Sequence, residues 1–374
     1  MDFSLTEEQE ALRGLARQIL ADRSTLARLK ELDASADWFD RDTWAELAKA
    51  NLLGVAVPED HGGLGYGFLE LCLLLVEVGR AVAPLPALTC LVSGALPLAE
   101  FGSEAQRRLL GEVAAGESIL TAALVEEGTP SEQPLTTAIA EGDRWRLDGT
   151  KVCVPAVHLA SAILVPATAG DGRLGVFLVP ADAPGLRAER QDTMSHEPWF
   201  TVVLDGVTVG ADALVGDLDR GAAILRFALD RATVGLCALA TGVTEEALRI
   251  TAEYTTTRRQ FGRPIGTFQA VGQRLADASI DAWAIELTML QAASHLAGGR
   301  DVPLEVATAK FWASEGASRV VHAGLHVHGG ISIDVDYPIH RYFLWAKQIE
   351  ATLGSETPQL VRIGRILAGE PMAG

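Results

Sequence analysis

Apolar positions along this chain keep three rhythms in succession. From Thr6 to about Gly116 they recur at helical spacing. Leu12, Leu15, Ala16, Ile19 and Leu20 make the stripe of a first helix, with Ser4 or Thr6 as its cap. A second helix is expected from Phe39 to Leu53, ended by Gly54. Two more follow, from Leu69 to Ala83 and from Ala87 to Phe101, with Pro84 and Pro86 as the break between them. The segment PEDHGGLGYG, from Pro58 to Gly67, must be a loop. Near Ser118 the rhythm shortens. Ile119 to Val125, Val152 to Val154, Ala162 to Val165, Gly175 to Val179 and Phe200 to Leu204 are short β-rich runs between turn residues. Asp148-Gly149, after Arg144 to Leu147, reads as a hairpin turn, and Asp205-Gly206 as a strand end. Strands at this spacing make a small sandwich- or barrel-like domain.

From about Gly216 the helical spacing returns. A long helix runs towards Tyr254, another to about Ala297, a third from about Leu304 to Val327, and two more follow Tyr337. The expected fold is α+β and multidomain. It has an N-terminal helical domain over 1–117, a middle β-domain over 118–215 and a C-terminal helical bundle over 216–374.

Composition narrows the function classes. Of the 374 residues, 48% are hydrophobic and 21% charged, as in soluble proteins with large cores. A formal net charge of −18 argues against nucleic acid or an anionic membrane as the main partner. It leaves room for an acidic ligand, because a few arginines dominate one pocket. Cys72, Cys90, Cys153 and Cys237 show no paired spacing and read as reduced thiols of a cytoplasmic protein. The N-terminal stretch has no signal-peptide pattern, and Leu69 to Val78 is too short and too interrupted by Glu70 and Glu77 to span a bilayer.

Candidate chemistry gathers where the long helix breaks, in YTTTRRQFGRPIGTFQAVGQRLAD from Tyr254 to Asp277. Pro264 stops the helix, and a new one is expected near Thr267 as cap, with Phe268, Val271, Leu275 and Ile280 on its apolar side. Arg258 and Arg259 beside such a turn suit an anionic group, because a guanidinium pairs with phosphate oxygens. They equally suit a helix end, where arginine balances the dipole. His322 and His326 have metal-ligand spacing, but no acidic or cysteine partner is local, so no metal is expected. Gly329-Gly330 ends that helix and lets a backbone or ligand come close.

The run Tyr-x-x-x-Arg-x-Gln-Phe-Gly-x-Pro-Ile-x-x-Phe-Gln, ending in Ala-Asp, resembles the C-terminal signature of the acyl-CoA dehydrogenase family of flavoproteins. So do LLGVAVPE from Leu52, GGLG from Gly62, His328-Gly329-Gly330, and DYPIHR from Asp336. The resemblance covers the whole chain in order and implies FAD as cofactor and an acyl-CoA thioester as substrate. By position it implies that Arg258, Gln260, Phe261, Gln269, His326, Val327, His328, Gly329 and Gly330 hold the ADP half of an FAD carried mainly by a neighbouring subunit.

The other half departs from the family. Glu126 to Glu132 replaces the usual flavin-side stretch. In Gly149-Thr150-Lys151-Val152-Cys153-Val154-Pro155 the aromatic position is Cys153 and the hydroxyl position Pro155. Proline brings neither hydroxyl nor amide donor. The reaction needs a carboxylate at the substrate α-carbon, yet the family's two base positions are Leu353 and Ala232 here, so no catalytic residue is assigned. The resemblance is therefore to the subunit lacking the glutamate in heteromeric bacterial dehydrogenases of the steroid side-chain type. It implies an α2β2 assembly with a second subunit that supplies the base, and electron-transfer flavoprotein or a similar acceptor. The alternatives are a silent scaffold or binding subunit, and a homomeric flavoenzyme with a non-standard base such as Asp230.

Overall fold

Thr6 opens the first helix by a reciprocal cap: its hydroxyl accepts from the Gln9 amide at 3.2 Å, and its own amide donates to the Gln9 side chain at 3.0 Å. A computed structural model describes residues 3–369. Its helices begin with α1 (Glu7–Arg23), α2 (Leu26–Asp33), α3 (Arg41–Lys49) and α4 (Phe68–Arg80). A π-helical stretch, Leu88–Ala95, then runs into α5 (Leu96–Phe101), followed by α6 (Glu104–Arg107) and α7 (Leu109–Ala114). The expected helix from Phe39 is shorter than its apolar pattern. Asp40 caps α3 by accepting from Thr43, and Asn51, with φ of 57°, turns the chain away after Lys49.

The middle of the chain is one sheet of seven strands: β1 (Leu120–Ala122), β2 (Thr137–Glu141), β3 (Arg144–Pro155), β4 (Ala162–Ala169), β5 (Leu174–Pro180), β6 (Leu186–Gln191) and β7 (Trp199–Gly210). The order is β1-β4-β2-β3-β7-β6, with β5 on β4. Leu147, Ile163, Val165, Phe177, Val179, Val202 and Val207 fill its core. Asp148-Gly149 is not a hairpin turn. β3 runs straight through it with a register shift against β7, and the turn falls earlier, at Gly142-Asp143. The Asp148 carboxylate is used by the Gly206 amide at 2.8 Å, and a Cβ on Gly149 would lie 2.4 Å from Thr136 Oγ1. Glycine therefore serves close packing here rather than a turn. β7 likewise continues past Asp205-Gly206. The edge strand β6 carries no apolar alternation, because all but its first residue are exposed.

The remainder is α8 (Gly221–Thr257), the short strands β8 (Arg259–Gln260) and β9 (Arg263–Pro264), α9 (Gln269–Ala297), α10 (Pro303–Phe311), a π-helical turn over Trp312–Gly316, α11 (Ala317–His328), α12 (Ile339–Ala351) and α13 (Glu356–Leu367). The fold is thus helical, then β, then helical. Contacts divide the described chain into two compact units. One holds the residues up to Glu31, Cys72–Ala83 and those from Thr233 onward; the other holds Leu32–Leu71 and Pro84–Ala232.

Within the first unit α4 and α8 cross at glycines. A Cβ on Gly242 would stand 1.8 Å from Val76 O, and one on Gly79 2.2 Å from Leu239 O. α9 packs on α11 through Ala278, Ala282, Val320 and Ala323. Ile280, expected on the apolar side of α9, is 58% exposed instead, because the helix turns its alanines inward. Thr267 is not the cap of α9 either; its hydroxyl donates to Pro264 O at 2.7 Å, and Phe268 takes the cap position.

Candidate functional site

Three successive threonines loosen the end of α8. Their hydroxyls donate back to Ala252, Glu253 and Tyr254 carbonyls at 2.7, 2.7 and 3.2 Å, competing with the helix ladder. Arg258 is the last residue tied to the helix, its amide donating to Tyr254 O at 2.9 Å while its own carbonyl accepts from Ile265 at 2.9 Å. β8 and β9 then form a two-residue hairpin whose tip, Phe261 and Gly262, has φ of 51° and 81°, as a mirror-image turn requires. Arg259 is spent inside the hairpin, donating to Gly262 O at 2.8 Å. Arg263 lies over the Phe268 ring, 4.3 Å from its centroid. The Arg258 side chain is exposed and takes no partner among the described residues. Phe261 stands 92% exposed, edge-on to Phe268. Gln260 and Gln269 are exposed on either side.

The end of α11 is brought to the same place by one ring. Tyr254, a turn before Arg258, stacks on His328 with centroids 4.4 Å apart, and Tyr337 packs against both. His328 is buried and its tautomer is fixed by its neighbours. Nδ1–H donates to Gly324 O at 2.8 Å, so Nε2 accepts from the Tyr337 hydroxyl at 3.0 Å. Burial pulls its pKa down, against the pull of the Gly324 carbonyl. The side chain is thereby committed to protein, and any ligand contact at this position falls to the backbone. His326 is exposed and Val327 half-buried. Gly329, with φ of 64°, and Gly330 both face open space where a Cβ would stand.

At the altered strand the picture is different. β3 shifts register between Lys151 and Val154, and Cys153 sits in the shift with φ of 54°. The Pro155 carbonyl is consumed by the Thr121 hydroxyl at 2.6 Å, which itself meets Thr89 at 2.9 Å. Lys151 points into the core. Its ammonium donates to Glu126 at 2.5 Å and to Pro166 O at 2.6 Å, and Glu126 also accepts from the amides of Leu135 and Thr136 at 2.8 and 3.1 Å. Burial pushes the Glu126 carboxyl up, but the Lys151 hydrogen bond and charge outweigh it and hold it low. Burial likewise pulls Lys151 down against the raising effect of Glu126. The sequence offers no sign of this pairing.

Neither Ala232 nor Leu353, the two positions where the base is expected, carries a proton acceptor. Ala232 is buried in α8, and Leu353 follows α12 in a left-handed turn with φ of 53°. Asp230 is buried and ion-paired with Arg226 at 3.3 Å. The turn into Leu353 is anchored from below by Lys310, whose ammonium donates to Ser314 Oγ and Ile349 O, both at 2.9 Å, and to Glu350 O at 3.2 Å. Burial pulls the pKa of this lysine down to about 8. A carboxyl that sequence reading missed, Glu197, lies just before β7. It accepts from Trp199 Nε1 at 3.0 Å, and burial pushes it up to about 7 against that bond.

Family models for the acyl-CoA dehydrogenase N-terminal and C-terminal domains match residues 6–117 and 219–368. The acyl-CoA dehydrogenase FadE27 of Mycobacterium tuberculosis is 43% identical over 99% of this chain and 100% of its own length. Among solved structures, the ChsE4–ChsE5 complex from Mycobacterium tuberculosis superposes with a TM-score of 0.93 at 41% identity, covering 100% of both chains. A variant of the Tcur3481–Tcur3483 steroid ACAD gives 0.92 at 47% identity, covering 97% of this chain and 98% of that one.

Proposed function

This chain belongs to the acyl-CoA dehydrogenase family, oxidoreductases acting on CH–CH bonds, and we propose that it is the subunit of a heteromeric FAD-dependent enzyme that lacks the base. On this reading it binds the ADP half of FAD, and a second family member supplies the glutamate and the flavin-ring pocket in an α2β2 assembly. The observation that carries it is the asymmetry between the two half-sites. The unpartnered Arg258 guanidinium, the exposed Phe261 and the open Gly329-Gly330 turn fit an anionic, planar nucleotide. Cys153, Pro155, Ala232 and Leu353 do not fit the flavin ring or the proton transfer.

Arg258 would pair its N–H groups with pyrophosphate oxygens, Phe261 would offer a packing wall, and the Gly329-Gly330 backbone would allow close approach. When bound, FAD supplies the hydride acceptor for the substrate β-carbon. The substrate proposed is a bulky acyl-CoA thioester of the steroid side-chain type, in keeping with what the Tcur3481–Tcur3483 relative is called. Reoxidation falls to electron-transfer flavoprotein or a similar carrier, in the cytoplasm. The three-domain division at 117 and 215 belongs to the same proposal. A silent scaffold leaves the free Arg258 without a role. The homomeric alternative built on Asp230 is disfavoured by its ion pair with Arg226.

The test is expression with and without a partner dehydrogenase subunit. The chain alone should purify with little flavin and no turnover of acyl-CoA, and the complex should be yellow and active. A yellow homo-oligomer of this chain that dehydrogenates an acyl-CoA sinks the proposal.

A further inference from the structure

Arg258 and the Gly329-Gly330 turn lie on segments far apart in the chain, and two contacts between α8 and α11 bring them together. The first is a close approach at Gly324, where a Cβ would stand 3.2 Å from the hydroxyl of the buried Thr251. The second lies about one turn further along both helices. There the rings of Tyr254 and His328 stack with centroids 4.4 Å apart and planes inclined at 23°.

Each half of the anion cradle is the direct continuation of one member of that stack. The Arg258 amide donates to Tyr254 O at 2.9 Å, so Arg258 stands one helical turn beyond Tyr254 on the same face of α8. Gly329 follows His328 at once and leaves α11 with φ of 64°. The imidazole is held at both nitrogens, Nδ1–H donating to Gly324 O at 2.8 Å and Nε2 accepting from the Tyr337 hydroxyl at 3.0 Å. Tyr337 is itself fixed, its amide donating to Asp334 O at 3.0 Å and its ring centroid 5.2 Å from that of His328. Both helices arrive by their C-terminal ends, whose partial negative charge does not attract phosphate. An anion held here therefore depends on where Arg258 and the glycine backbone are placed.

We propose that Tyr254, His328 and Tyr337 are positioning residues of the ADP half-site. The stack sets the spacing between the Arg258 guanidinium and the Gly329-Gly330 backbone, and the Tyr337 hydroxyl locks the ring that sets it. The inference rests on the half-site reading above, and the three residues act through Arg258 rather than on the cofactor. The complex with a co-expressed dehydrogenase subunit, stripped of flavin and titrated with FAD, reads it. Tyr254→Ala should weaken FAD about three- to tenfold. Tyr254→Phe, which keeps the ring, should bind FAD as the wild type does. Tyr337→Phe leaves Nε2 without its donor and should weaken FAD by a smaller factor. A general loosening of the fold would give similar losses, so the deciding measurement is the double-mutant cycle with Arg258→Ala. On that background Tyr254→Ala should cost less than about twofold, because the group it positions is gone. Tyr254→Leu takes its place in the cycle should Tyr254→Ala fail to fold. Equal factors with and without Arg258, or unchanged FAD affinity in the folded Tyr254 variant, overturn the inference and leave the half-site standing. Unchanged affinity in Tyr337→Phe overturns the part given to Tyr337. An Arg258→Ala complex that binds FAD as tightly as the wild type overturns the half-site, and the inference with it.

Discussion

Two arginines side by side in the sequence end in different employment. Arg259 holds the hairpin tip through Gly262 O, while the exposed Arg258 side chain takes no partner among the described residues. A charge-assisted contact to pyrophosphate is worth about 1.5–3 kcal/mol, or roughly ten- to hundredfold in affinity. Arg258→Ala, co-expressed with the partner, should therefore lower flavin absorbance per complex and be largely restored by excess FAD. Arg259→Ala should lose less than about tenfold; the reverse order would move the anion contact to Arg259. Glu197 gives a second expectation at this scale. Its native value of about 7 stands above the roughly 4.3 of an unfolded glutamate. Between those limits the native state binds more protons, so stability falls as pH rises through the window. Glu197→Gln, which keeps an acceptor for Trp199, should flatten that slope in urea melts between about pH 4.5 and 7.5, by up to about 1.4 kcal/mol for each step of one in pH. An unchanged slope would mean that the carboxyl is solvated. Neither Glu197 nor the Glu126–Lys151 pair was legible in the sequence. Buried charges declare themselves by their surroundings, and those come from segments far apart in the chain.

Elements were more legible than their edges. Proline placement and apolar spacing give the helix–sheet–helix order, because both report which backbone hydrogen bonds are possible. Errors arose where a side chain took a job usually done by a turn. Asp148 serves the Gly206 amide, Gly149 makes room for Thr136, and β6 lies exposed with no alternation to reveal it. The π-helical stretches Leu88–Ala95 and Trp312–Gly316 have no sequence mark at all. Glycine inside helices tests the packing directly. Gly242→Ala must push α4 and α8 apart, since its Cβ would meet Val76 O at 1.8 Å. It should cost about 1–3 kcal/mol or more in denaturant melts. Gly14→Ala in α1, with nothing within 4 Å of its Cβ, should gain about 0.5–1 kcal/mol. Equal effects would show that the crossing is not close.

For the whole molecule, family membership was readable from motifs spread from Leu52 to Arg341, whereas on the proposed reading the use of each half-site depends on what the chain pairs with. On the proposed reading, Leu353→Glu places a carboxylate at a base position, in a turn that Lys310 already anchors. As a homo-oligomer the variant should still show no acyl-CoA turnover, because Cys153 and Pro155 remain at the ring. Appreciable turnover would mean that the ring pocket is competent. Phe261, held out at 92% exposure by a rigid mirror-image turn, has a consequence inside the cell. Chaperones and proteases take a projecting apolar ring as the mark of an unfinished protein. On the proposed pairing, a copy of this chain made without the surface that covers the hairpin should be cleared faster, read as its half-life with and without a co-expressed partner subunit.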